Sequence, residues 1–231
     1  MIVITNGLLQ TQIQAMSVII TTMLTIAIQA GGQSSRMGQD KALLLFLGQP
    51  LIKRVIGRVQ FLADEILVTT NQSDEYNFLD IPLIPDVIPG IGALGGLFTA
   101  LKAANHPFVG VVACDMPFLN PNLLRICHEM LIDSDFDAVI PSSENGLEPL
   151  HAVYRRETCL NPIEKAIQSG QRRLIAWHEV ANIRILTPGE TEKYNPDGIT
   201  FWNINTPEDF RQAEEKAREI DIQNSKWRYS R

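Results

Sequence analysis

The stretch at residues 25–41 constrains the fold of this chain more than any other part of the sequence. A short apolar run at residues 26–28 predicts a buried strand, which is closed soon afterwards by Gly31 and Gly32. The loop that follows adds a third glycine and two cations: Gly38, Arg36 and Lys41. Glycines let the backbone turn tightly and bring its N–H groups close to an anion, to which Arg and Lys add full charges. The stretch therefore predicts a strand followed by a phosphate-binding loop, with a plain glycine turn as the open alternative.

Two widespread phosphate-binding motifs do not fit this loop. A P-loop needs a Gly-Lys-Ser or Gly-Lys-Thr sequence after a four-residue gap, and the chain contains no Gly-Lys pair. The dinucleotide fingerprint G-x-G-x-x-G is not matched by Gly31, Gly32 and Gly38. If the loop binds a phosphate, it does so as a member of a different class.

Length and composition bound the classes of protein that fit such a loop. The 231 residues are 45% hydrophobic and 20% charged, which indicates one globular domain. The formal net charge of -6 argues against nucleic acid as a partner and requires local cations for any anionic substrate. The apolar segment at residues 18–28 is shorter than the ~20 residues of a membrane span. Three scattered cysteines exclude a disulfide framework and fit a reducing compartment, so we expect a cytoplasmic protein.

Strand and helix patterns alternate along the rest of the chain. Apolar, β-branched runs predict strands at residues 66–70, 81–84, 108–113, 138–141 and 183–186. Helical spacing of apolar residues predicts helices at residues 51–62, 94–105, 120–131, 157–169 and 170–175 and after Pro207. This alternation predicts an α/β fold with a single doubly wound, mostly parallel sheet and helices on both faces.

The expected domain covers residues 23–222, followed by a loose tail at residues 223–231. Residues 1–22 precede the first strand of this domain and form an N-terminal extension. Two interpretations of the extension stay open. It is either a disordered segment, or a leader created by a start site placed too early, with Met16 or Met23 as the true initiator.

Three stretches rich in glycine or acid follow predicted strands. The glycine loop follows the first strand, and Asp115 follows the strand at residues 108–113. Asp86 and a segment with four glycines in the seven residues 90–96 follow the strand at residues 81–84. In doubly wound sheets, ligands bind at the carboxyl ends of the strands. We therefore expect the three stretches to converge on one site.

Asp115 is the first candidate for a ligand in that site. It comes just after a fully apolar strand, where a carboxylate without a partner is costly. Two roles stay open for it: a turn or helix-capping residue, and a ligand of Mg²⁺, which takes one or two carboxylates together with phosphates and water. The four histidines are not spaced as metal ligands.

Residues 30–41 have the sequence AGGQSSRMGQDK, which resembles the signature of the nucleotidyltransferases that handle molybdopterin. The resemblance is closest to the molybdenum cofactor guanylyltransferases. Residues 114–117, CDMP, are similar to the metal-binding stretch of that family, and residues 86–96, DVIPGIGALGG, are similar to its nucleotide loop. The resemblance implies a Rossmann-like nucleotidyltransferase that uses Mg²⁺ to transfer GMP from GTP to the phosphate of molybdenum-molybdopterin, with release of pyrophosphate.

The resemblance also implies roles for individual residues. The catalytic residues are Lys41, Arg36 and Asp115. The nucleotide-binding residues are Gln29, Ala30, Gly31, Gly32, Lys41, Asp86 and Asp115, and Asp115 is also the metal ligand. Candidates for contact with the pterin substrate are Arg172, Arg173, Asn203 and Asn205.

Three positions depart from the family pattern. Gln29 stands where the family usually has leucine, a change that a backbone contact would survive. Ala93 stands in the nucleotide loop where proline is common. Thr69 stands where some guanylyltransferases have asparagine near the base, which leaves that contact unassigned.

Three other functions stay open. A cytidylyltransferase acting on the same pterin shares the fold, but such relatives favour Ala-Ala-Gly where this chain has Ala30, Gly31 and Gly32. A sugar-phosphate nucleotidyltransferase is more distant. A non-catalytic nucleotide-binding protein is expected to lack Lys41 or Asp115, and both are present. We expect no nucleic acid and no membrane as partners, and molybdoenzymes or their chaperones as recipients of the product.

Overall fold

The computed structural model describes residues 22–30, 40–195 and 197–229. The N-terminal extension therefore lies almost entirely outside the described residues. Among the described residues, no helix combines the length and the apolar composition needed to cross a bilayer.

Within the described part of the chain, ten strands form one large sheet and one small hairpin. They are β1 Leu24–Gln29, β2 Leu45–Phe46, β3 Gln49–Pro50, β4 Glu65–Thr69, β5 Leu83–Ile84, β6 Phe108–Ala113, β7 Ala138–Ser143, β8 Gly146–Leu147, β9 His151–Arg155 and β10 Ile183–Leu186. The large sheet has the order β10-β7-β9-β6-β1-β4-β5, and β8 pairs with β7 outside this path. The pairs β10–β7, β6–β1, β1–β4 and β4–β5 are parallel, whereas β9 is antiparallel to both of its neighbours. The mostly parallel sheet predicted from the sequence is confirmed.

Helices cover both faces of the sheet. They are α1 Leu51–Val59, α2 Ser73–Tyr76, α3 Ala93–Ala103, α4 Pro121–Ile132, α5 Arg156–Gln168, α6 Pro188–Thr191 and α7 Pro207–Tyr229. Successive side chains of a strand point to opposite faces, so Ile26 and Ile28 pack with α1 and α4, while Ala27 packs with α3 and α5. The two apolar cores follow from the continuous apolar character of the central strands, and the predicted doubly wound arrangement is confirmed.

The caps of two helices follow the sequence closely. The Asn120 side chain accepts a hydrogen bond from the Asn122 N–H at 2.9 Å, and Pro121 occupies the first turn of α4. At the start of α7, the Thr206 hydroxyl accepts from the Asp209 N–H at 3.1 Å, and an Asp209 carboxylate oxygen accepts from the Thr206 N–H at 2.8 Å. These two bonds form a reciprocal capping box.

The last helix closes the domain beside the carboxyl ends of the strands. A third apolar cluster joins Ala213 and Ala217 of α7 to Phe46 of the β2–β3 hairpin and to Phe118 and Ile204. Phe118 follows Asp115 closely along the chain, and Ile204 lies between Asn203 and Asn205. Packing of α7 therefore fixes two of the segments that carry candidate site residues.

Three local expectations differ from the structure. No helix forms at residues 170–175, where Gly170 has φ +81° and a turn follows. The strand β9 was not expected, because its buried residues show no alternation of polar and apolar side chains. The helix α7 continues past residue 222 to Tyr229, where a loose tail was expected. The anchored first half of α7 supplies the nucleus from which further turns can extend.

His151 lies in β9 with none of its surface exposed, edge-on to the ring of Phe201 at 5.5 Å between centroids. Burial lowers its pKa to about 3. In the unfolded chain the imidazole titrates near ~6.5, so the unfolded state takes up a proton first as the pH falls. The contribution of His151 to the free energy of unfolding is therefore fully present above pH ~6.5 and is lost progressively as the pH falls towards the pKa of the folded state.

We expect His151→Leu to remove this pH dependence. Between pH 7 and pH 5 the wild type should lose about 2 kcal/mol more of its free energy of unfolding than the variant loses. Urea denaturation at both pH values measures the difference, and any constant packing cost of the substitution cancels. Equal losses in the two proteins would show that His151 does not carry the effect.

Candidate active site

A cleft of about 750 Å³ opens at the carboxyl ends of β1, β4 and β6. It brings together most of the residues that the sequence singled out. Its lining includes Gln29, Ala30, Lys41, Asp86, Asp115, Asn203 and Asn205. Gly31, Gly32 and Arg36 lie outside the described residues. The residues that flank the glycine loop therefore line the same cleft as Asp86 and Asp115, as expected for the described parts of the three strand-end stretches.

Lys41 begins a short 3₁₀ turn, Lys41–Leu43, which Asp40 caps. One carboxylate oxygen of Asp40 accepts from the Ala42 N–H at 3.0 Å, and the other accepts from the Tyr76 hydroxyl at 2.6 Å. Burial and the bond to Asp40 raise the pKa of the Tyr76 hydroxyl, which keeps it a donor. Tyr76 is fully buried, so it ties the end of the glycine loop to the core.

We expect the hydroxyl of Tyr76 and the carboxylate of Asp40 to stabilise the domain as a coupled pair. Tyr76→Phe should lower the free energy of unfolding by about 1–2 kcal/mol, because a charged acceptor loses its buried donor. In a double-mutant cycle with Asp40→Ala, measured by urea denaturation, the two changes should couple by about 1 kcal/mol or more. Strictly additive effects would contradict the role of this bond.

Asp115 lies between the end of β6 and the segment that leads into α7. Its backbone carbonyl accepts from the Ile204 N–H at 3.0 Å. Burial raises the pKa of the Asp115 carboxyl, and the positive charge of Lys41 opposes that shift. The carboxylate is therefore costly to keep ionised without a further cation. No group of three or more His, Cys, Asp or Glu side chains among the described residues is placed to hold a metal ion.

Two arginines of α1 hold the loop that follows Asp115. The Arg54 Nε donates to the Pro117 carbonyl at 3.1 Å, and the Arg58 Nε donates to the Leu119 carbonyl at 2.6 Å. This role was not predictable from the sequence, because arginines on an otherwise amphipathic helix usually face solvent. They fix the position of the backbone just after Asp115.

Asp86 is held by a reciprocal pair of hydrogen bonds with Asn71. The Asn71 Nδ2 donates to a carboxylate oxygen of Asp86 at 2.8 Å, and the Asp86 N–H donates to the Asn71 Oδ1 at 2.9 Å. The next residue, Val87, donates its N–H to the Thr99 hydroxyl of α3 at 3.0 Å. Asn71 is thus a positioning residue that the sequence pattern did not reveal, although it follows a predicted strand.

Asn205 links Lys41 to the last helix. The Lys41 Nζ donates to the Asn205 Oδ1 at 3.1 Å, and the Asn205 N–H donates to the Asp209 carboxylate at 2.9 Å. Asn203 also lines the cleft. Both asparagines therefore line the cleft, and Asn205 contacts Lys41 directly.

The two arginine candidates are placed differently from the other site residues. Neither Arg172 nor Arg173 is among the residues that line the cleft. One guanidinium nitrogen of Arg172 donates to the Gly90 carbonyl at 2.5 Å. Arg172 therefore contacts the glycine-rich loop that begins at Asp86.

Charge is unevenly distributed over the cleft. Among its described lining residues, Lys41 is the one cation, and the acids are Asp40, Asp86 and Asp115. Asp40 is engaged by Tyr76 and Asp86 by Asn71, whereas Asp115 is half-buried and interacts with the charge of Lys41. A lysine close to a half-buried carboxylate suits a phosphate group together with a divalent cation.

Comparison with known proteins agrees with this geometry. Residues 26–182 match the family described as MobA-like NTP transferase domain. The molybdenum cofactor guanylyltransferase of Desulfosudis oleivorans is 32% identical over 192 residues, which cover 83% of this chain and 94% of the relative. The crystal structure of molybdopterin-guanine dinucleotide biosynthesis protein A from Archaeoglobus fulgidus aligns with a TM-score of 0.74 at 27% identity, over 84% of this chain and 99% of that one. The chain therefore belongs to the family of MobA-like NTP transferase domains, and the resemblance of its sequence to the molybdopterin nucleotidyltransferases is confirmed.

Proposed function

We propose that this protein transfers GMP from GTP to the terminal phosphate of molybdenum-molybdopterin, releasing pyrophosphate and forming the guanine dinucleotide form of the cofactor. The observation that carries the proposal is the grouping of Lys41, Asp115 and Asp86 in one cleft of a nucleotidyltransferase domain. The names of the relatives at 32% identity support the choice of guanylyl transfer.

The chemistry needs charge neutralisation more than it needs a general base. A phosphate monoester has a second pKa near ~6, so its oxygen is already ionised at neutral pH. That oxygen forms a bond to the α-phosphorus of GTP, while the bond from the α-phosphorus to the bridging oxygen breaks and pyrophosphate leaves with the electron pair. Lys41 neutralises the charge that builds on the α-phosphate, and the cleft holds the two phosphates in line.

Two other groups near the cleft do not compete with this route. His151 is buried in the sheet, and its lowered pKa keeps it neutral. Cys114 lines the cleft, but desolvation raises the pKa of its thiol, and the negative charge of the neighbouring Asp115 raises it further. A protonated thiol is a poor nucleophile, so direct transfer between substrates is favoured over a covalent intermediate on Cys114.

Mg²⁺ fits this donor set. It binds through one or two carboxylates and keeps its other positions for phosphate oxygens and water, which suits the single half-buried carboxylate of Asp115. We propose that Asp115 holds Mg²⁺ together with the phosphates of GTP. When bound, the ion supplies positive charge that offsets the negative charge of the triphosphate.

The other proposed contacts follow the arrangement of the cleft. Gly31, Gly32 and Arg36 are assigned to the triphosphate from the sequence, and Ala30 and Asp86 to the nucleoside. For the pterin substrate we propose two asparagines that line the cleft and two neighbouring arginines, the first of which contacts the Gly90 carbonyl: Asn203, Asn205, Arg172 and Arg173. The three cysteines are unpaired, which fits action in the cytosol, where molybdoenzymes or their chaperones would receive the product.

Pyrophosphate release tests the proposal. The full chain is incubated with Mg²⁺, molybdenum-molybdopterin and, in turn, GTP, CTP, ATP or UTP. We expect pyrophosphate with GTP, at a rate far above those with the other nucleotides, and none when the pterin is omitted. Equal rates with CTP would move the assignment to the cytidylyltransferases, and no pyrophosphate with any nucleotide would contradict catalysis.

A further inference from the structure

The side chain of Gln29 is an unexplained polar group in the cleft. Gln29 is the last residue of β1 and lines the cleft. Its Nε2 is buried, and no described residue accepts a hydrogen bond from it. A buried amide donor without an acceptor costs free energy, so its retention calls for a ligand or a functional reason.

The backbone of Gln29 is already engaged in the sheet. Its carbonyl accepts from the Cys114 N–H at 3.1 Å, and it pairs in parallel register with Thr69 of β4. The next residue, Ala30, donates its N–H to the Thr69 carbonyl at 2.9 Å. The carboxamide of Gln29 is therefore the part of this residue that is available to a ligand.

Gly96 of α3 creates the space in which this carboxamide lies. A Cβ atom at Gly96 would lie 2.8 Å from the Gln29 Oε1 and 2.9 Å from its Cδ, closer than real Cβ contacts. The carboxamide thus rests against the helix backbone with its oxygen nearest to Gly96. This contact fixes the side chain at the end of the cleft formed by β1, β4 and the start of α3.

Two groups of residues with different chemistry border the cleft. Lys41 is bonded to Asn205, and the carbonyl of Asp115 is bonded to the segment before α7. Gln29 lies against α3, and the loop of Asp86 is bonded to Thr99 of the same helix. A nucleotide whose phosphates lie at Lys41 and Asp115 can place its base against α3, next to Gln29.

We infer that the Gln29 carboxamide is a specificity-determining group that reads the nucleobase, with its Nε2 donating to O6 of guanine. The inference rests on the proposed function in that the nucleotide is GTP. Guanine presents the O6 acceptor beside N–H donors, which suit the carboxylate of Asp86 in the same cleft. Cytosine presents its N4 amino group, a donor, where guanine has O6, and so would face the Gln29 donor with another donor.

Binding of three nucleotides to Gln29→Leu tests this contact. Affinities of the full chain for GTP, ITP and 2-aminopurine riboside triphosphate are measured with Mg²⁺ by calorimetry. ITP keeps O6 and lacks the 2-amino group, whereas 2-aminopurine lacks O6. We expect Gln29→Leu to weaken the binding of GTP and ITP about tenfold and to leave the affinity for the 2-aminopurine triphosphate unchanged. An equal loss for all three nucleotides, or no loss for any, would overturn the inference.

A second variant approaches the same contact from the helix. Gly96→Ala should displace the end of the flexible Gln29 side chain and reduce the preference for GTP over 2-aminopurine by a similar factor. Gly57→Ala is the matched control, because Gly57 lies in α1 with nothing within 4 Å of an added Cβ. Alanine favours helix over glycine, so neither variant should lose stability through the helix itself. An unchanged preference in Gly96→Ala would count against the inference.

The binding readout keeps this inference separate from the proposed reaction. A wild type that prefers GTP to 2-aminopurine but releases no pyrophosphate with the pterin would contradict guanylyl transfer alone. Suppose instead that the wild type releases pyrophosphate from GTP and that Gln29→Leu keeps the nucleotide preference of the wild type. This result would overturn the role of Gln29 alone.

Discussion

Asp115→Asn is expected to lower pyrophosphate release by about 100-fold or more while the protein stays folded. Asparagine keeps the shape of the side chain but removes the negative charge that binds a hard divalent cation. Positive charge near the reacting phosphates would then be lost at the point where it stabilises the transition state most. Steady-state rates across a range of Mg²⁺ concentrations measure the effect, and saturating Mg²⁺ should not restore it.

Stability of the same variant provides an independent control. Burial raises the pKa of the Asp115 carboxyl, so the folded protein disfavours its charged form. This carboxyl therefore lowers the free energy of unfolding as the pH rises above the pKa that the group has in the unfolded chain. In metal-free buffer at neutral pH, Asp115→Asn should therefore unfold with a free energy no lower than that of the wild type. Asp133→Asn, at an exposed position after α4, is the matched control and should keep normal turnover. Near-normal turnover in a folded Asp115→Asn protein would refute the metal assignment.

Lys41→Ala is expected to lower the maximal rate by about 100-fold with little change in the Michaelis constant for GTP. The ammonium is bonded to Asn205 in the structure, and a point charge there can reach the α-phosphate as charge builds on it. An interaction that matters mainly in the transition state affects turnover rather than apparent affinity.

Lys165→Ala is the matched control for that variant, because Lys165 lies on the exposed side of α5. It should keep the rate and the Michaelis constant of the wild type. Circular dichroism checks the fold of both variants. A Lys41→Ala protein in which only the Michaelis constant for GTP changes would show that Lys41 binds the nucleotide without assisting the chemical step.

Much of the fold follows from local patterns in the sequence. The central residues of β1 and β4 and the whole of β6 are apolar, which is typical of strands buried on both faces of a parallel sheet. By contrast, β9 pairs antiparallel between β6 and β7, and this insertion depends on partners distant along the chain. Local periodicity carries no information about such pairing.

The residues of the site also fall into those that local sequence predicts and those that only folding brings together. Lys41, Asp86 and Asp115 were predictable because each follows a strand, and strand ends of a parallel sheet share one edge. Tyr76, Arg54 and Arg58 were not, because each acts on a segment brought near only by folding. For Gln29, the sequence indicated only a backbone contact. Its inferred role depends on the space left by Gly96, which lies on helix α3.

The fate of the α-phosphate tests guanylyl transfer most directly. The wild-type protein is incubated with Mg²⁺, molybdenum-molybdopterin and GTP labelled at the α-phosphorus, and products are separated by chromatography. The account predicts that the label enters the dinucleotide product with one pyrophosphate released for each label incorporated. Recovery of the label as free GMP, or label that stays in GTP while the pterin is unchanged, would contradict it.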